Sequence, residues 1–130
     1  MMVAMAMTDL DEMLRSLTVD ARPDGYLFAT VPVESPVVAM AHATIGEREG
    51  LTVVVPVSVA EKHGLATTPL FAWLTLTVYS SLEAVGLTAE VSRVLADAGI
   101  ACNVLAGFHH DHLLVPWADR ERALEALTWG

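Results

Sequence analysis

Two short stretches carry side chains that could act on a small molecule. The first is Ser80-Ser81-Leu82-Glu83-Ala84-Val85-Gly86-Leu87, and the second is His109-His110-Asp111-His112. The first stretch runs into a predicted helix. The opening turn of a helix carries unpaired N–H groups and a partial positive charge, so a carboxylate fits there. Gly86 would let a ligand approach the backbone closely. In the second stretch, Asp111 could accept hydrogen bonds from an ammonium group. An α-amino acid carries both groups on one carbon, so the two stretches together would form a receptor for one. The same residues also fit plainer roles. Ser80 and Ser81 could cap the helix, Glu83 could be a solvated loop acid, and Gly86 and Asp111 could serve tight turns.

Hydrophobic patterning predicts the elements that would bring the stretches together. Leu70 to Tyr79 alternates as a strand, with Ala72, Leu74, Leu76 and Val78 on one side and Phe71, Trp73, Thr75, Thr77 and Tyr79 on the other. Leu87, Val91, Val94, Leu95 and Ala98 fall on one helical face, closed by Gly99. Ile100 to Phe108 reads as a strand, His109 to Asp111 as a turn, and His112 to Pro116 as a returning strand. Asp119 is placed to cap a last helix ending near Leu127. In a right-handed β-α-β unit the two strands are parallel. The strands ending at Tyr79 and at Phe108 then finish at one edge of the sheet, and their loops lie side by side.

The first half repeats this plan loosely. A helix is expected from Thr8 or Asp9, with Leu10, Met13, Leu14 and Leu17 on one face. Pro23-Asp24-Gly25 reads as a break. Strands are expected over Tyr26 to Val33, Val37 to Ile45 and Leu51 to Val57, with Gly46 to Gly50 as a hairpin turn. Ser58-Val59-Ala60-Glu61 has capping-box spacing before a short helix ending at Gly64. The Thr67-Thr68-Pro69 stretch is the expected seam between two α+β units.

Composition narrows the function classes. The chain has 130 residues, 54% hydrophobic and 18% charged, with a net charge of −9. That balance excludes global disorder. Lys62 is the only lysine, so no basic patch is available for nucleic acid or an anionic membrane. There is no uninterrupted apolar run of about 18 residues, so no membrane-spanning helix is expected. Met1 to Met7 is too short for a signal-peptide core and has no basic flank. A single cysteine, Cys102, excludes an internal disulfide framework and fits a cytoplasmic protein. The apolar surplus predicts packing between units and a homodimer or higher homo-oligomer.

Other chemistries fit less well. His110 and His112 would share a strand face and could share an ion, but zinc usually takes four ligands and no second cluster is present, so no metal and no cofactor are expected. A hydrolase would use Ser80 or Ser81 as nucleophile, a loop histidine as base and Asp111 as orienter, yet no Gly-x-Ser-x-Gly turn exists. Cys102 sits in an apolar strand and reads as a packed small residue.

The three segments Ser80 to Leu87, Ala98-Gly99-Ile100-Ala101-Cys102-Asn103-Val104 and His110-Asp111-His112-Leu113-Leu114-Val115-Pro116 resemble a family of small bacterial proteins. In these, two ACT units are fused in one short chain. The C-terminal half is also similar to the ACT units of eukaryotic cytosolic arginine sensors. The resemblance implies ferredoxin-like βαββαβ units in tandem, over residues 1–68 and 69–130, with antiparallel sheets and helices on one face. It implies a non-catalytic regulatory protein that binds a small molecule, an amino acid, between units. Carried over by position, the binding loop is Ser81 to Leu87, including Glu83, Val85 and Gly86, with Ser80 ahead of it. Asp111 resembles the ligand-holding aspartate of the arginine sensors, and Asn103 is a further carry-over. His110 and His112 would help line the pocket. The alternatives are a structural dimerisation module without ligand and, third, a small hydrolase.

Overall fold

The computed structural model describes residues 12, 14–78 and 86–128. Most of the expected first helix lies outside them. Leu14 to Ser16 are helical, and Leu14 is buried against the core.

Strand β1 (Thr18–Val31) is longer than its pattern suggests. It runs straight through Pro23-Asp24-Gly25, which reads as a break in the sequence. The irregularity is absorbed as a register shift against the neighbouring strand between Ala21 and Gly25. A Cβ on Gly25 would come within 2.6 Å of the Leu70 side chain, so the close approach requires glycine.

The strand expected from Val37 to Ile45 is split. Pro36–Met40 forms a 3-10 turn, and only Ala43–Glu47 is strand (β2). Pro36 presets a helical φ, and the Ser35 hydroxyl accepts from the Val37 N–H at 3.2 Å. These local effects outweigh the β preference of Val37 and Val38. The hairpin at Gly46 to Gly50 forms as expected, with Glu47 opposite Gly50, and leads into β3 (Gly50–Pro56). Val53, Val54 and Val55 are all buried, so both faces of β3 are covered. Helix α1 (Val57–Lys62) starts directly after Pro56 with no side-chain cap. Ser58 therefore sits inside the helix rather than opening it.

The second half keeps its expected order: β4 (Phe71–Thr77), α2 (Leu87–Asp97), β5 (Asn103–Ala106), β6 (Asp111–Pro116) and α3 (Arg120–Ala126). Gly99, at φ +74°, ends α2. The Ile100 N–H reaches the Leu95 carbonyl and the Gly99 N–H the Ala96 carbonyl, a Schellman-type closure. β5 is shorter than the Ile100 to Phe108 run because Ile100 closes that helix and Gly107 already turns. The Gly107 N–H donates to the His110 carbonyl at 2.8 Å, and a Cβ there would meet the same oxygen at 2.8 Å. Asp119 does not cap α3. It stands at the N-cap position as the last residue of a 3-10 turn, but its side chain makes no cap hydrogen bond and pairs with Arg122 at 2.7 Å.

All six strands form one antiparallel sheet in the order β2-β3-β1-β4-β6-β5. This replaces the expected pair of small sheets. Each half starts with a central strand, crosses to an edge strand and returns by a hairpin to lie between them. The two halves thus follow one plan, and β1 and β4 pair at the centre. Units that share their central pair need no sheet-to-sheet packing to bury their strands.

The helices lie on one face of the sheet. Leu74, Leu76, Leu113 and Val115 pack there against Leu87, Val91 and Leu95 of α2 and Ala123 of α3. Leu27, Val31, Val53 and Val55 pack against Val37 and Ala60 in the first half. Burying each such side chain contributes about 1.5–3 kcal/mol before entropy is counted. Among the described residues no helix is long and apolar enough to cross a membrane.

Candidate functional site

β4 and β5 both pair antiparallel to β6 and are therefore parallel to each other. Asp111, the first residue of β6, lies between Leu76 of β4 and Ala106 of β5. The end of β4 and the β5–β6 hairpin thus share one edge of the sheet, as the topology predicts. From this edge residues 78–86 lead into α2. Ser80, Ser81, Glu83 and Val85 lie outside the described residues. Gly86 precedes α2 with φ +94°, a left-handed conformation suited to glycine, and among the described residues no side chain caps the helix. Leu87 is buried in the core and serves packing.

Strand alternation divides the remaining candidates. Asp111 shares the helix-covered face with Leu76 and Leu113, whereas His112 and Asn103 lie on the opposite face with Thr75 and Leu114. His110 is an exposed turn residue. Along the helix-covered face, Val19, Leu76, Asp111 and Ala106 form one cross-sheet row. At the Val19 end of that row is a cleft of about 260 Å³ lined by Leu17, Val19, Leu124, Leu127 and Thr128.

The helix-free face carries a second cluster that sequence reasoning missed. Tyr26 and Trp73 are each 2% exposed there, their rings tilted by 53° with centroids 5.1 Å apart. The Arg22 guanidinium lies 4.0 Å above the Trp73 ring. Arg22 Nη1 donates to His42 Nδ1 at 2.7 Å and to the Tyr26 hydroxyl at 3.3 Å. The Trp73 indole N–H donates to His112 Nδ1 at 3.2 Å, and the Thr75 hydroxyl lies 3.0 Å from the same nitrogen. Arginine and tryptophan can only donate, so both Nδ1 atoms act as acceptors and both imidazoles are neutral. Burial lowers the His42 pKa, the Arg22 charge lowers it further, and Asp24 opposes them. Burial likewise lowers that of His112, aided by Arg22 and His110 against Asp111. The available signal was aromatic residues at alternate positions of two strands, Tyr26 with Phe28 and Phe71 with Trp73. It marks a sheet covered on its second face as well.

Among the described residues no three His, Cys, Asp or Glu side chains are grouped to hold a metal ion. Cys102 is half-buried, and burial pushes its thiol pKa up, as suits a packed residue rather than a nucleophile.

Comparison with known proteins gives consistent matches. One ACT-domain family matches residues 5–72 and a second matches residues 71–128. No curated protein matches in sequence. A protein of unknown function from Vibrio cholerae, described as a possible transport protein, is 40% identical, with a TM-score of 0.85 over 94% of this chain and 95% of that one. A protein from Agobacterium tumefaciens is 18% identical, with a TM-score of 0.62 over 85% of this chain and 86% of that one. A structure of aspartokinase alpha and beta subunits shares the fold at 16% identity and a TM-score of 0.56, over 90% of this chain and 95% of that one.

Proposed function

The chain belongs to the ACT-domain family, whose domains are regulatory and bind small molecules, and on that premise we propose that it binds a free amino acid at the sheet edge beside Asp111. The observation that carries this reading is the register of β6. It sets Asp111 at the edge where β4 hands over to α2, whose N-cap position is Gly86. The ligand carboxylate takes the helix N–H groups and the loop Ser80 to Leu87, and its ammonium takes Asp111. His110 borders the pocket. Asn103 and His112 face the other side of the sheet and are left out of this site.

The protein works without a catalytic centre. ACT domains are in general non-catalytic, and His112 points to the opposite face from Asp111, which supports this reading. Residues 1–68 and 69–130 form the two units, joined through the paired β1 and β4. A homodimer is supported by the apolar-rich composition, 54% hydrophobic, and by the commonness of two-fold assemblies. The single cysteine and acidic composition fit a cytoplasmic location.

A thermal-shift screen against the twenty amino acids tests the reading. A ligand at about 100 times its Kd stabilises the fold by about 2.7 kcal/mol. One amino acid should raise the melting temperature with concentration, and the rise should vanish in Asp111→Ala. No shift with any amino acid at millimolar concentration would instead favour a ligand-free dimerisation module.

A further inference from the structure

We propose that the helix-free face of the sheet carries a second binding site, in which the Arg22 guanidinium takes the carboxylate of a small apolar monoacid. The site is independent of the edge beside Asp111. Arg93, Arg120 and Arg122 each pair with a carboxylate. Among the described residues no carboxylate forms an ion pair with Arg22. Arg15 and Arg48 also lack such a pair, but they are exposed, whereas Arg22 is half-buried. A guanidinium offers a planar fork of five donors matched to a carboxylate. Among the described residues only Nη1 of Arg22 donates to the protein, and it does so to the neutral His42 ring and the Tyr26 hydroxyl.

The surroundings define the ligand class. The guanidinium rests on Trp73, and the same face continues with Phe28 and Phe71, edge to face at 5.3 Å, and with Ala43 and Leu105. An acid with an apolar body would cover these groups. Each Nδ1 of His42 and His112 is already an acceptor, so the imidazoles are neutral and Arg22 supplies the one positive charge. One cation in a partly desolvated aromatic bed suits one negative charge better than two. Asp24 beside the cluster, and Asp111 on the opposite face of the sheet, act on its charges through space and disfavour a dianion more than a monoanion.

The test follows the Trp73 indole N–H in a ¹⁵N-labelled sample of the full chain, its signal assigned with Trp73→Phe. Benzoate and hexanoate are titrated, with inorganic phosphate at matched ionic strength as the contrast. A saturable shift is expected with at least one of the two acids and not with phosphate. Arg22→Lys keeps a stem and a charge over Trp73 but loses the fork, so binding should weaken at least about tenfold. Arg22→Gln should abolish it, and if that variant does not fold, the lysine variant carries the result. The proposal is overturned by no saturable shift with either acid, by an equal response to phosphate, or by wild-type affinity in Arg22→Lys. In those cases Arg22 is only a cover for Trp73.

Discussion

The two faces of the sheet are buried by different means. Under the helices, Leu74, Leu76, Leu113 and Val115 meet an aliphatic partner surface, and dry close packing stabilises that face. On the other face no helix is present among the described residues, yet Tyr26, Trp73, Val54 and Leu114 are just as buried. There the cover is amphipathic. The Arg22 head, two imidazoles and a threonine hydroxyl lie over or beside the aromatic rings and keep polar atoms near the surface. A helix-covered face can only pack, whereas a side-chain-covered face can pack and still respond to charge.

Adjacent residues of β4 offer the sharpest contrast, because Leu74 and Trp73 point to opposite faces. Leu74→Ala should lose about 2–5 kcal/mol in urea unfolding, since the helices cannot collapse fully into the space. Trp73→Phe should lose less, about 1–2 kcal/mol, from one hydrogen bond and some buried area. It should also raise the His112 pKa, because a donor that holds only the neutral ring is gone. Equal losses with an unchanged His112 titration would erase the distinction between the faces.

Acid should weaken the open face selectively. His42 and His112 both have folded-state pKa values below the ordinary value. The unfolded chain therefore binds protons first, and stability falls as pH drops below about 6.5 toward the lowered folded values. Above that range their contribution is fully present. Replacing both with glutamine should flatten the pH dependence between pH 7 and 5, measured by thermal unfolding. An unchanged slope would remove the two imidazoles from the account. The smallest effect is expected for Asp111→Ala without ligand, within about 0.5 kcal/mol of wild type, since Asp111 makes no ion pair among the described residues.

The second half was legible because its signals were local. The alternation of Phe71 to Thr77 and the i, i+4 spacing of Leu87 and Val91 each identify one element. The first half misled where local chemistry competed. Pro23-Asp24-Gly25 looks like a stop, but pairing on both flanks carries β1 through it. Val37 and Val38 look like strand, but Ser35 and Pro36 wind them into a turn. The shared edge of β4 and the β5–β6 hairpin was legible through topology, since parallel strands must end together. The Arg22 cluster was not, because its members stand up to 90 positions apart, from Arg22 to His112, and meet only through strand order and register. A single sheet was not legible either, since the pairing of β1 with β4 joins segments about fifty residues apart.

The most direct measurement is a backbone-amide NMR titration with the amino acid that stabilises the fold most. Shifts should concentrate at Gly86, Leu87, Gly107 and Asp111, leave the Trp73 indole in place, and disappear in Asp111→Ala. Saturation with shifts elsewhere and none at that edge, or no amino acid that binds at all, would contradict the account.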